Sequence, residues 1–193
     1  MTRRFVAPAV DPVTARRRLQ PRRRLRDWLG GAVARPARGP LAGKLLPHLE
    51  LIWLPFLLGS APLAGGEPGR RLACLVCAST GLASRVELAT QVFADPAEEV
   101  TLGAAAIGRE RLEGIARDHL GRVARLAGAR VSSDPGGLAV EEWALPFWVL
   151  CYERRPGRLD FATLDAVTGE KVGGAVRQAL LRALVASPGR DGH

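Results

Sequence analysis

Residues 145–170 read LPFWVLCYERRPGRLDFATLDAVTGE. An apolar run from Leu138 to Arg154, bent at Pro146, meets Pro156-Gly157, a pair suited to a tight turn, and a second run returns over Arg158 to Asp165. The stretch is a β-hairpin. With Arg155 and Arg158 flanking the turn, Tyr152 falls opposite Phe161, an aromatic cross-strand pair of the kind that stabilises hairpins. Val172, Val176, Ala179, Leu180, Ala183 and Leu184 follow at helical spacing until Pro188-Gly189, which predicts a closing helix.

Upstream, the same order is written less clearly. Asp11-Pro12 is an N-cap followed by proline at the first helical position, and a helix is predicted from Pro12 to about Leu29, broken at Pro21. Residues 34–43 form a linker, Leu49 to Leu58 an apolar strand, Ser60 to Gly69 a loop, and Arg71 to Ala78 a return strand closed by Ser79-Thr80-Gly81. A helical run is expected from about Ala83 to Phe93. Ile107, Leu112, Ile115, His119, Val123 and Leu126 then recur at helical spacing and end near Gly128.

Laid over each other at an offset of 88, the halves match Phe5 with Phe93, Pro8 with Pro96, Ala9 with Ala97, Arg70 with Arg158, Ala78 with Ala166, Thr80 with Thr168 and Gly81 with Gly169. The Leu-Pro-Phe triplets at 54–56 and 145–147 lie 91 apart. The expectation is an α+β protein of two tandem helix/β-hairpin units, 1–92 and 93–193, whose antiparallel strands are covered by helices on one side. The text of residues 145–152, 159–161 and 165–173 resembles the PepSY-like hairpins of many bacterial proteins, and also the short tail that follows zinc ribbons in some bacterial proteins. That resemblance implies a small interaction or regulatory module without chemistry of its own; the zinc ribbon itself is missing from this chain.

Charge is unevenly placed. Residues 1–38 hold eleven Arg against Asp11 and Asp27, which accounts for the whole net charge of +9 and leaves the remaining 155 residues neutral. Arg16, Arg17 and Arg18, with Arg22, Arg23, Arg24 and Arg26, form a basic rod suited to the phosphates of nucleic acid or of an anionic membrane. Only Trp28 lies nearby for base stacking, and the shortage of lysine beside abundant Ala, Gly and Pro favours a compositional reading of the arginines, as a solvated helix surface, over a binding one.

Cys74 and Cys77 have C-x-x-C spacing, but they sit in a predicted strand, where residues three apart face opposite ways; buried structural cysteine is favoured over a metal or redox pair. Cys151, His48 and His119 offer only a loose set of further zinc ligands, and no cofactor is expected. No nucleophile elbow or phosphate loop is present, so catalysis is not expected. Asp160, Asp165 and Glu170 read as solvated turn carboxylates. The aromatic area is concentrated in Trp53, Phe56, Trp143, Phe147 and Trp148 around the two triplets, and a protein or peptide partner is expected to bind the hairpin surface there. Leu45 to Leu58 is too short and too polar to span a membrane, the start of the chain lacks a secretory apolar run, and three cysteines argue against a disulfide framework, so a cytoplasmic location is expected.

Overall fold

The apolar runs around the two Leu-Pro-Phe triplets pair with each other. The protein is described by a computed structural model over residues 3–20, 35–36, 45–64, 71–86, 92–95, 100–131, 137–155 and 158–186. In chain order these residues form β1 (Arg4–Val6), α1 (Pro12–Leu19), β2 (Arg35–Pro36), β3 (Leu45–Leu46), β4 (His48–Pro62), β5 (Arg71–Cys77), β6 (Ala83–Val86), β7 (Phe93–Ala94), β8 (Thr101–Leu102), α2 (Arg109–Leu126), β9 (Ala139–Arg155), β10 (Arg158–Asp165) and α3 (Gly174–Ala186). The long strands β4 and β9 run antiparallel from His48 opposite Cys151 to Ser60 opposite Ala139. Each carries two partners on its outer side. β4 pairs with β5 antiparallel from Phe56 onward and with β8 in parallel at Ile52 and Trp53. β9 pairs with β10 antiparallel from Phe147 onward and with β1 in parallel at Trp143 and Ala144. β6 and β7 extend the sheet beyond β5 and β1, and β2 pairs with β3 in a separate two-stranded ribbon.

These registers explain the two prolines. Pro55 lies between the part of β4 bonded to β8 and the part bonded to β5, and Pro146 lies at the same break between β1 and β10. The carbonyl of Pro55 accepts from Ala78 N at 2.9 Å and that of Pro146 from Ala166 N at 3.0 Å. Because the N–H and C=O of one strand residue point to the same side, the missing N–H of each proline faces the gap between flanking strands, where no ladder bond is lost.

The halves are related by an approximate twofold rotation through the Leu54–Leu145 pair. Adding 91 to each β4 position gives its β9 counterpart with the same neighbours: Phe56 opposite Cys77 matches Phe147 opposite Asp165, and Ile52 beside Thr101 matches Trp143 beside Arg4. In the turns the shift is 88, since Gly81 N bonds Cys77 O and Gly169 N bonds Asp165 O, both glycines at positive φ. For the leading strands and helices it is 97. Ala9 and Val10 N bond Ala166 O, as Ala106 and Ile107 N bond Ala78 O, and the caps Asp11 and Gly108 coincide.

The units are exchanged, not tandem. The β1–α1 segment packs on the late hairpin: Ala15 and Leu19 join Trp148, Leu150, Leu164 and Ala166 in one core cluster. The β8–α2 segment packs on the early hairpin, where Leu112, Ala116 and Leu120 meet Leu57, Cys74 and Val76. The expected fold of two tandem helix/hairpin units with a helix-covered antiparallel sheet is therefore corrected to one mixed sheet that draws strands from both halves. The physical reason is the length of β1 and β8, 3 and 2 residues. Such strands carry no readable alternation, yet their parallel pairing decides which hairpin each helix reaches.

Alternation along β4 and β9 assigns the faces. α1 and α2 share the face of Leu49, Leu51, Leu57, Trp148 and Leu150. α3 covers the other face over Ile52, Leu54, Phe147 and Val149, so helices lie on both sides. Among the described residues α3 has no counterpart under this rotation. Gly103 lets it approach: a Cβ there would sit 2.5 Å from Leu54 Cδ2 and 3.4 Å from Ala183 Cβ. The matching residue is Val6, which is itself buried against Leu58, Trp143 and Phe93.

Local expectations fared unevenly. α1 begins as read, with Asp11 accepting from the N–H groups of Val13 and Thr14 at 2.9 Å each. Residues 83–86 are an edge strand rather than the start of a helix, and Phe93 belongs to β7. Phe93 therefore lies on the strand paired with β1, opposite Val6, and is not the counterpart of Phe5, which is Leu102. A register shift between Arg158 and Leu159 moves Phe161 opposite Cys151, so Tyr152 faces Asp160. Among the described residues no helix is long and apolar enough to cross a membrane.

Candidate functional site

The aromatic set does not form a common surface. Phe147 and Trp148 are consecutive, so they point to opposite faces, and both faces are covered. Trp143, Phe147 and Trp148 are buried, each under 9 % exposed. Trp143 packs edge-on against Phe93 and donates to Glu141 Oε2 at 3.0 Å; Phe147 stacks on the half-buried Phe56; Trp148 donates to Val10 O at 2.7 Å. Trp53 is half-buried, edge-on to Phe5, with its buried Nε1 lacking an acceptor. The groove expected around Trp143, Phe147 and Trp148 is replaced by core.

The other candidates are likewise dispersed. Arg16, Arg17 and Arg18 line the exposed side of α1, and Arg18 Nη1 donates to Gly169 O at 3.1 Å. Arg22, Arg23, Arg24 and Arg26 lie outside the described residues. Cys74, Cys77 and Cys151 are buried, and burial pushes the Cys74 thiol up to about 11. His48 Nε2 meets Glu50 Oε2 at 3.2 Å, and Glu50 Oε1 accepts from Thr101 at 2.8 Å. His119 is held below the usual imidazole range by burial and then by the Arg122 guanidinium. Asp160 lies within reach of Tyr152, Arg154 and Arg177, while Asp165 Oδ1 accepts from Val167 N and Thr168 N as a turn cap. Among the described residues no group of three His, Cys, Asp or Glu could hold a metal ion.

What the structure does open is a cleft of about 130 Å³ on the α1/α2 face. Its floor is apolar, from Pro55, Leu57, Ala78, Ile107 and Leu112, and its rim carries Arg3, Arg109 and Glu142. Glu142 lies 3.7 Å from Arg3 Nη2 and 3.9 Å from Arg109 Nη1, beyond hydrogen-bond reach of either. Arg109 Nε donates to Glu113 Oε1 at 2.8 Å, and Arg3 Nε is buried without an acceptor.

The twofold supplies an internal control. Applying the offsets, Pro55, Ala78 and Ile107 become Pro146, Ala166 and Val10, so the apolar frame recurs. Leu57 becomes Trp148, whose indole fills the matching space against Val10 and α1. Arg3, Arg109 and Glu142 become Val100, Pro12 and Leu51, so none of the three charges recurs at the matching position. Sequence reasoning missed this cleft because its residues come from five separate segments; the Leu57/Trp148 contrast at an offset of 91 was the available signal. No protein-family model, curated protein or solved structure matches the chain.

Proposed function

We propose that the protein is a non-catalytic binding module that engages a protein or peptide partner, with the cleft between the start of α2 and the central strands as its recognition site. The observation that carries this reading is the asymmetry of the two related positions: one carries Trp148, buried against Val10 and α1, and the other is open and rimmed by charge. An apolar floor with few polar groups at the rim suits binding. The polar side chains at the cleft are two guanidiniums and one carboxylate, which orient a ligand and offer no nucleophile. Three buried cysteines, an odd number, support a reducing compartment, and we propose a cytoplasmic location.

The test uses backbone NMR of the full chain titrated with a pooled tripeptide library, on the parent and on Leu57→Trp, which copies the closed half. Shifts confined to residues 55–57, 105–112 and 142 in the parent, and lost in the variant, are expected. Shifts that persist in a folded Leu57→Trp protein would overturn the reading. A second reading, contact of α1 with nucleic acid or anionic lipid, is favoured by the exposure of Arg16 and Arg17. It predicts binding that weakens steeply between low and high salt, and salt-independent or absent binding rejects it.

A further inference from the structure

We infer that Asp160 and Arg177 form a side-chain plug that closes the outer edge of β10 against pairing with a second copy of this chain. The twofold shows what this edge lacks. In the early half β6 covers β5 from Val76, opposite Ala83, to Ala73, opposite Val86. At the offset of 88 the late half begins the same way, with Lys171 bridging Leu164 and Val172 N donating to Thr163 O at 3.1 Å. It then departs. Gly173 and Gly174 stand at the positions of Arg85 and Val86, and Gly174, at φ +59°, leads the chain into α3. Phe161, the counterpart of Ala73, has no strand on that side, and among the described residues none lies beyond it.

Thr163 O points to the outer edge, so the N–H and C=O of Phe161 and Leu159, two and four residues away, point there too. Such groups are a template for another strand. At Phe161 both are engaged by side chains instead. Its N–H donates to Asp160 Oδ1 at 2.8 Å, and its C=O accepts from Arg177 Nη2 at 2.8 Å. The same Nη2 donates to Asp160 Oδ1 at 3.1 Å, and the guanidinium lies 4.4 Å from the Phe161 ring centroid. Asp160 shares the α1 face with Ala162 and Tyr152, whereas Arg177 belongs to α3 on the other face, so their contact runs across the edge. A carboxylate and a guanidinium thus supply the acceptor and the donor that a neighbouring strand would supply.

The strand that fits this edge is β10 of a second copy. Paired antiparallel about Leu159, which is 37 % exposed, two copies set Arg158 of each against Asp160 of the other, so opposite charges meet on both sides of the centre. Asp160 is free for that role only once Arg177 lets it go.

Full-length Arg177→Met, which keeps the apolar stem and loses the donors, is compared with the parent by sedimentation velocity over a range of concentrations. The variant is expected to self-associate at least tenfold more tightly than the parent. Adding Leu159→Pro, which removes an outward N–H and leaves the β9 ladder intact, is expected to restore the parent's behaviour. A folded Arg177→Met protein that associates no more than the parent overturns the plug, and association that survives Leu159→Pro overturns β10 as its place. Amide exchange reads the Asp160 half of the plug without the Arg177 variants: Phe161 N–H should exchange at least tenfold faster in Asp160→Ala than in the parent, with Ala162 unchanged. Equal exchange at Phe161 in the two proteins overturns the plug.

Discussion

Truncating Leu19 distinguishes exchanged from tandem packing, because the two arrangements give this side chain different neighbours. Leu19 is 2 % exposed on α1 and shares its cluster with Leu164 of β10, which is 1 % exposed. The residue matching Leu164 in the early hairpin is Val76, 0 % exposed, which packs with α2 instead. Leu19→Ala and Leu164→Ala each remove a buried side chain and leave a cavity, costing about 2–5 kcal/mol apiece. Made together they open one shared cavity, so the pair should cost about 1 kcal/mol less than the sum, within the range of roughly 0.5–3 kcal/mol for touching residues. Val76→Ala, with two buried carbons lost at about 0.8 kcal/mol each plus a cavity, should cost about 2 kcal/mol and add to Leu19→Ala within about 0.5 kcal/mol. Urea unfolding of the single and double variants measures both couplings. For a chain of this size, about 3 kcal/mol corresponds to roughly 6–12 °C in Tm, so thermal melts serve as a check. Coupling of Leu19 to Val76, with additivity toward Leu164, would refute the exchanged packing.

Three further outcomes follow from particular sites. Gly103→Val places a side chain against Leu54 and Ala183, and should cost about 1–3 kcal/mol and speed amide exchange in α3; an unchanged Tm and unchanged exchange would contradict the account of α3 docking. His119 has a folded pKa below its unfolded value of about 6.5, so below that pH the unfolded chain binds more protons and stability is lost as the pH is lowered. An NMR titration should place its midpoint under 6.5, and His119→Gln should flatten the stability profile just below that pH; a midpoint above 6.5 rejects the assignment. Cys74, pushed up to about 11, and the buried Cys77 and Cys151 should react with an aromatic disulfide at pH 8 only as fast as the protein opens, whereas immediate reaction of the native protein would contradict their burial.

The hairpins were legible because their signals are local. Thr-Gly turns at 80–81 and 168–169, apolar runs on either side and the Leu-Pro-Phe triplets place β4, β5, β9 and β10 within a residue or a few of their observed bounds. Partner choice was not legible. Phe5 and Leu102 occupy matching positions in strands too short for periodicity, and residue identity pointed to Phe93, which instead lies in β7 opposite Val6. Ala83 and Val86 share a helical spacing, yet pairing of Val86 with Ala73 at the sheet edge takes precedence. The aromatic cluster was visible as composition, while its division between two faces follows from strand alternation and from helices on both sides. The cleft needed tertiary structure, since Arg3, Leu57, Arg109 and Glu142 meet only after β1 and α2 have docked.

The exchanged sheet is tested most directly by interstrand nuclear Overhauser contacts in the full chain. The account predicts contacts from Phe5 to Ala144, from the Trp148 indole N–H to Val10, and from Leu102 to Trp53. Backbone pairing of Phe5 opposite Trp53 with α1 against Val76 of β5, together with backbone pairing of Leu102 opposite Ala144 with α2 against Leu164 of β10, would contradict it.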